Sequence, residues 1–215
     1  MKAAIIGDSF VQHCFGTWIE TVAKSLGWEI QLQSGVPGGC QHFAYETFVD
    51  LIKTRKPDIV LFAHTEPHRL PNAGRYGINV VNVELPQGQA NMPVAVQEAA
   101  KQYYQSLYYD RFHKDIHNLM VKDLQDLCKI NNIKSVHLQS FDWPVPKHHG
   151  LWINGGLHNI ASTQGEGWHF DRTLRNHFNP AIHAKLAAWL IPHIRYYLDN
   201  DLDFHTATLY REDVV

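Results

Sequence analysis

The chain has 215 residues, 45% of them hydrophobic and 19% charged, and its formal net charge is −2. These proportions exclude a disordered polymer. A near-neutral balance offers no broad basic face to phosphate backbones, so no nucleic-acid partner is expected. No apolar run approaches the ~20 residues that cross a bilayer, so no membrane span is expected.

Lys2 to Gly7 reads as a short apolar strand, too short for a signal peptide, ending in Gly7-Asp8-Ser9. Gln12 to Leu26 carries Phe15, Trp18, Ile19, Val22, Ala23 and Leu26 at helical spacing, with Gly27 as its stop. Trp28 to Gln33 alternates like a strand, and Ser34 to Gly39 predicts a tight loop. Ala44 to Arg55 predicts a helix. Asp58 to Ala63 is a continuous apolar run, the pattern of a parallel strand covered on both faces.

The stretch 64–93 is rich in Pro, Gly and Asn and reads as an elaborated loop, with a short hairpin over Ile78 to Val83. Val94 to Asn131 predicts one long helix or two shorter ones, and Ser135 to Ser140 a further strand. A second long loop, 141–176, is dotted with Trp, His and Gly. Pro180 to Leu198 predicts an amphipathic helix with Pro192 inside it, and 199–215 an arm or tail. Strands alternating with helices predict a three-layer α/β/α sandwich around a central parallel sheet, one domain over 1–198. Ligands of such sheets bind at the carboxyl ends of the strands, where both long loops would lie.

Cys14, Cys40 and Cys128 are odd in number, far apart and free of any CxxC pair, which predicts a reducing, cytoplasmic setting without a disulfide framework. His64 and His68 lie four apart, as do His113 and His117, the spacing of one helix face. Thr65 and Lys114 stand where a zincin motif needs Glu, so no metal is expected.

Four segments carry groups suited to acyl transfer. Ser9 ends the first strand, where the following helix would lend partial positive charge to an oxyanion; Gly-Asp-Ser is equally a helix N-cap sequence. Gly35-Val36-Pro37-Gly38-Gly39 lets backbone approach a ligand, or is simply a turn. His64-Thr65-Glu66-Pro67 follows the third strand, and Asn176-His177-Phe178-Asn179 precedes the last helix. His177 can serve there as a general base, while Asn179 caps the helix ahead of Pro180.

In this order the blocks resemble the SGNH family of hydrolases, also called GDSL-type esterases and lipases. The resemblance runs from Ile5 to about Leu190 and implies the family's flavodoxin-like fold. It puts Ser9 in the nucleophile position, Gly38 in that of a backbone oxyanion donor, and His177, rather than His183, in that of the general base. The family's third block is Gly-x-Asn-Asp; here Ala63-His64-Thr65-Glu66 puts Thr65 in place of the oxyanion Asn, with His64 or Arg69 able to compensate. Leu174 stands where the family has its triad Asp, leaving Asp171, Asp142 or a Ser-His dyad oriented by a backbone carbonyl. The implied activity is hydrolysis of a carboxylic ester without any cofactor.

Substrate choice falls to the long loops. Trp143, Trp152 and Trp168, with His148, His149, His158 and His169, suggest an O-acetylated carbohydrate or other small ester; the same tryptophans can instead anchor the loop to the core. Tyr103, Tyr104, Tyr108 and Tyr109 rim a pocket or pack. Two other readings stand beside the esterase: an inactive ligand-binding or assembly protein of the same fold, and a phosphate or nucleotide binder using the loop at 35–39.

Overall fold

A computed structural model of the chain describes every residue except 14–15, 73–76, 80–82, 85–91, 169–170, 172–173 and 215. Six strands form one parallel sheet: β1 (Lys2–Asp8), β2 (Glu29–Val36), β3 (Ile59–His64), β4 (Lys134–Gln139), β5 (Gly150–Asn154) and β6 (Phe204–Thr208). Their spatial order is β2-β1-β3-β4-β5-β6. The helices are α1 (Trp18–Leu26), α2 (Gln41–Thr54), α3 (Val94–Ser106), α4 (Asp110–Ile130), α5 (Leu157–Ala161) and α6 (Pro180–Asp199).

Alternation along the strands sorts the side chains into two cores. Ile5, Leu61, Val136 and Ile153 pack on one face with Trp18 of α1 and Leu186 of α6. Ile6, Val60 and Phe62 pack on the other with Phe48 of α2 and Leu124 of α4. Burial on both faces is why β3 is apolar at every position before His64. The three-layer α/β/α arrangement is therefore the expected one.

Three expectations change. The first long helix starts at Trp18, not Gln12, because the Asp8 side chain accepts the Phe10 amide and starts a separate 3-10 turn over Ser9–Val11. Gly16 then turns the chain at φ 72° before α1 begins. The expected loop 141–176 contains β5, and the expected arm contains β6, which pairs in parallel with β5. Both strands have only five residues, and β6 is largely exposed at the sheet edge, so neither shows a strong pattern. Ile78 pairs with Leu70 in an isolated antiparallel bridge; the hairpin expected over 78–83 runs through 80–82, which lie outside the described residues.

Candidate active site

The turn after β1 exists because Gly7 has no side chain. A Cβ there would lie 2.6 Å from the Ala63 carbonyl oxygen, so β1 could not seat against β3. Asp8, which follows, is 1% exposed and points into the interior. Its Oδ1 accepts from Phe10 N–H at 3.1 Å and from the Ser140 hydroxyl at 2.8 Å, while Oδ2 has no partner. Burial raises the Asp8 pKa above its usual 3.8, opposed first by the nearby Arg69 cation. A three-residue 3-10 turn carries little macrodipole, so the helix charge expected beside Ser9 is not there.

Ser9 is left half-buried at the crevice edge, and His177 comes to it from the far end of the chain. His177 Nε2 lies 2.7 Å from Ser9 Oγ, across 168 residues of sequence. The loop that carries the ring is constrained on several sides. Asn176 and His177 adopt left-handed backbone, at φ 47° and 65°. Phe178 N–H closes a turn on the Arg175 carbonyl at 2.9 Å. Gln164 brackets the histidine, donating to the His177 carbonyl at 2.6 Å and accepting the Asn179 amide at 2.7 Å. The Asn179 side chain caps α6 through Ile182 N–H at 2.9 Å, with Pro180 at the first helical position.

His183 is 4% exposed and does not reach Ser9. Its Nδ1 accepts Trp18 N–H at the start of α1 (3.1 Å), and its Nε2 donates to the Arg175 carbonyl (2.9 Å). It ties two helices to the His177 loop. Neither this tie nor the Gln164 bracket was legible in the sequence, since both join residues without a shared motif.

Opposite Ser9, the turn after β2 places Gly38 at φ 65°. Among the described residues, no group accepts the amide N–H of Gly38 or that of Ser9. The third block behaves differently from expectation. His64 is 2% exposed, with Nδ1 3.3 Å from Gln41 Oε1 and Nε2 2.9 Å from His137 Nδ1, so both ring nitrogens face the interior. This follows from alternation: His64 shares the α2/α4 face with Val60 and Phe62. Thr65 is 4% exposed, and its hydroxyl is buried near the Asp8 carboxylate without a well-formed hydrogen bond. Both side chains are thus buried, His64 among interior polar groups and Thr65 beside Asp8.

Arg69 does return toward the site. Its Nε donates to Glu66 at 2.9 Å and its Nη1 to the Gly39 carbonyl at 3.2 Å, and the guanidinium lies 4.9 Å above the Phe141 ring. Asp171 is exposed in the loop before His177, its carbonyl accepting Leu174 N–H at 3.2 Å. Asp142 is exposed after β4 and close enough to Lys147 to favour that cation.

Of the aromatic residues in the second loop, Trp152 is fully buried and stacks on His137 at 4.4 Å, and Trp168 is packed edge-on to His177 at 5.6 Å. Both anchor the structure, so a sugar-stacking role falls away for them. Trp143 is half-buried, edge-on to His68 at 4.8 Å with Lys114 5.0 Å above its ring. His158 stacks on Phe141, and His148 pairs with Asp126 at the surface. His149 is buried, and His169 lies outside the described residues. On α3, Tyr104 is tied to loop carbonyls, while Tyr109, just before α4, is exposed.

No family model matches the chain, and no curated protein matches it. Solved structures similar to it include two esterases and a lipolytic protein. The psychrotrophic esterase EstA from Pseudoalteromonas sp. is 13% identical, covering 93% of this chain and 99% of that one at a TM-score of 0.46. The acetyl xylan esterase AlAXEase is 15% identical, covering 100% and 79% at 0.40. A G-D-S-L-family protein from Desulfitobacterium hafniense DCB-2 is 12% identical at 0.37; the match covers 64% of this chain and spans only 59% of that one. Among the described residues, no helix is long and apolar enough to cross a membrane, and no group of three His, Cys, Asp or Glu is arranged to hold a metal. Cys40 and Cys128 are free and buried; Cys14 lies outside the described residues.

Proposed function

We propose that this protein is a serine ester hydrolase of the SGNH type. The observation that carries the reading is the 2.7 Å contact between Ser9 Oγ and His177 Nε2, which is the distance a nucleophile and its general base require. Two amides without an acceptor, those of Ser9 and Gly38, complete the set of groups that acyl transfer needs.

In this reading the Ser9 hydroxyl attacks the ester carbonyl as its proton passes to His177 Nε2. The oxygen that becomes negative is held by the Ser9 and Gly38 N–H groups, where two preorganised donors face charge that develops only in the transition state. The protonated His177 gives its proton to the leaving alcohol, which departs and leaves an acyl-Ser9. Water, deprotonated by the same ring, then releases the acid and restores Ser9. Asp171 is the proposed orienting carboxylate, with Asp142 or a backbone carbonyl in its place if it is dispensable. Thr65 and His64 have no part in the oxyanion site, and Arg69 acts on it from the side.

The substrate is proposed to be a small ester. Of the three tryptophans of the second loop, Trp143 is left half-buried as an aromatic surface for a sugar ester. The test is exposure of the parent protein and Ser9→Ala to p-nitrophenyl acetate and a fluorophosphonate probe. Hydrolysis and labelling by the parent, both lost in the variant, are expected. A parent that neither hydrolyses nor labels between mildly acidic and alkaline pH would leave an inactive binding protein of this fold.

A further inference from the structure

We infer that Gly77 and Arg69 are positioning residues that lock the Gly38 turn, so that these two residues after β3 serve as a clamp on the oxyanion site. This rests on the esterase reading for its catalytic consequence, though not for its mechanics.

Left to itself, the turn after β2 would wander: Gly38 and Gly39 are adjacent glycines, the least restrained residues in a chain. Three contacts remove that freedom. Gly39 N–H closes the turn on the Val36 carbonyl at 2.7 Å. Gly77 N–H donates to the Gly38 carbonyl at 2.7 Å. Arg69 Nη1 donates to the Gly39 carbonyl at 3.2 Å. The two held carbonyls fix the 38–39 and 39–40 peptide planes that leave Gly38, and the Gly39-to-Val36 bond closes the turn around the Pro37–Gly38 peptide; the clamp thus acts on the unaccepted Gly38 N–H through the Gly38 backbone, held at φ 65°.

The clamp is itself braced. Leu70 and Ile78 exchange backbone hydrogen bonds of 2.8 and 2.9 Å, which places Gly77 and Arg69 side by side. The Tyr104 hydroxyl lies 2.6 Å from the carbonyls of both His68 and Ile78, which share its single proton, and so holds the bridge from α3. Arg69 is kept straight by Glu66 at 2.9 Å, and its side chain is only 8% exposed. The fit at residue 77 admits only glycine: a Cβ there would collide with the Gly38 carbonyl oxygen and lie 3.1 Å from Arg69 Cβ. Arg69 donates through Nε to Glu66 and through Nη1 to the Gly39 carbonyl, so its reach to the oxyanion site runs through the glycine turn.

The experiment compares the parent with Gly77→Ala and with Arg69→Met, which keeps an unbranched stem and loses the donors. The first readout is the NMR order parameter of the Gly38 amide, which needs no activity. It is expected to sit near the rigid value of about 0.85 in the parent and to fall below about 0.6 in Gly77→Ala. The second is p-nitrophenyl acetate hydrolysis, where kcat is expected to fall about 10²-fold with KM nearly unchanged, as for a misplaced catalytic group. An equally ordered Gly38 amide in both variants overturns the clamp. So does a rise in KM at constant kcat, which would make the segment a substrate contact. A parent that fails to label at Ser9 overturns the esterase reading, and the order parameters then decide the clamp by themselves.

Discussion

His64 and His137 stack 7° from parallel and are joined nitrogen to nitrogen at 2.9 Å, inside the core beneath the crevice. Phe62 and Trp152 extend the stack on either side, and His137 Nε2 lies 2.9 Å from the Ser135 hydroxyl. Because Gln41 Oε1 only accepts, His64 donates through Nδ1, accepts from His137, and His137 in turn accepts from Ser135. The chain of bonds is complete only with both rings neutral.

Acid should therefore weaken the fold. Burial pushes the His64 pKa from 6.5 to about 3, and the His137 pKa also well down. Both folded values lie below the unfolded one, so the stability is fully present above about pH 6.5 and is lost as pH falls toward 3. Each ring contributes up to about 1.4 kcal/mol per pH unit in that window. Urea unfolding at pH 7, 6 and 5 should show the decline, and His64→Asn should make it shallower by one proton. A flat profile in the parent would mean that the pair is charged or exposed.

The Asp8 carboxylate has the opposite sign. Its pKa is raised by burial, so the ionised form is a burden that grows as pH rises above 3.8. Asp8→Asn keeps an oxygen for Phe10 and Ser140 and supplies N–H donors toward the Thr65 hydroxyl. The variant should melt higher than the parent at pH 7.5, with the gain shrinking near pH 4. A lower melting temperature at pH 7.5 would show that the Asp8 charge is compensated by its attraction to Arg69.

The two histidines near the start of α6 should separate by measurement. His177→Ala should lower kcat by at least about 10³-fold, with the melting temperature near that of the parent. His183→Ala strands the Trp18 amide and the Arg175 carbonyl, so it should cost on the order of 1–3 kcal/mol per stranded group and keep more of the activity below its own melting point. Equal kinetic loss in both variants, at equal stability, would place the general base elsewhere.

Asp171→Asn should slow hydrolysis less than His177→Ala does, and within about 10⁴-fold of the parent, the range of an orienting carboxylate. The comparison with Asp142→Asn is read at saturating substrate. If Asp171→Asn hydrolyses at the parental rate while Asp142→Asn does not, the roles are exchanged. If neither matters, a dyad remains.

The sequence by itself determined the layered architecture and the two ends of the candidate site. An unbroken apolar run such as Ile59 to Ala63 has few places to go except a sheet covered on both faces, and Gly7, Asn179 and Pro180 act through local sterics and capping that sequence states directly. Tertiary structure decided which way side chains faced and what held them. Alternation along β3 took His64 into the interior, β5 and β6 became strands only because a neighbour supplied their hydrogen bonds, and the leading amide of α1 found its acceptor in His183 of α6. The pairing of Arg69 and Gly77 with the glycine turn likewise joins segments about 30 to 40 residues apart. Such contacts depend on relative placement in space, which residue type and spacing along a chain do not encode.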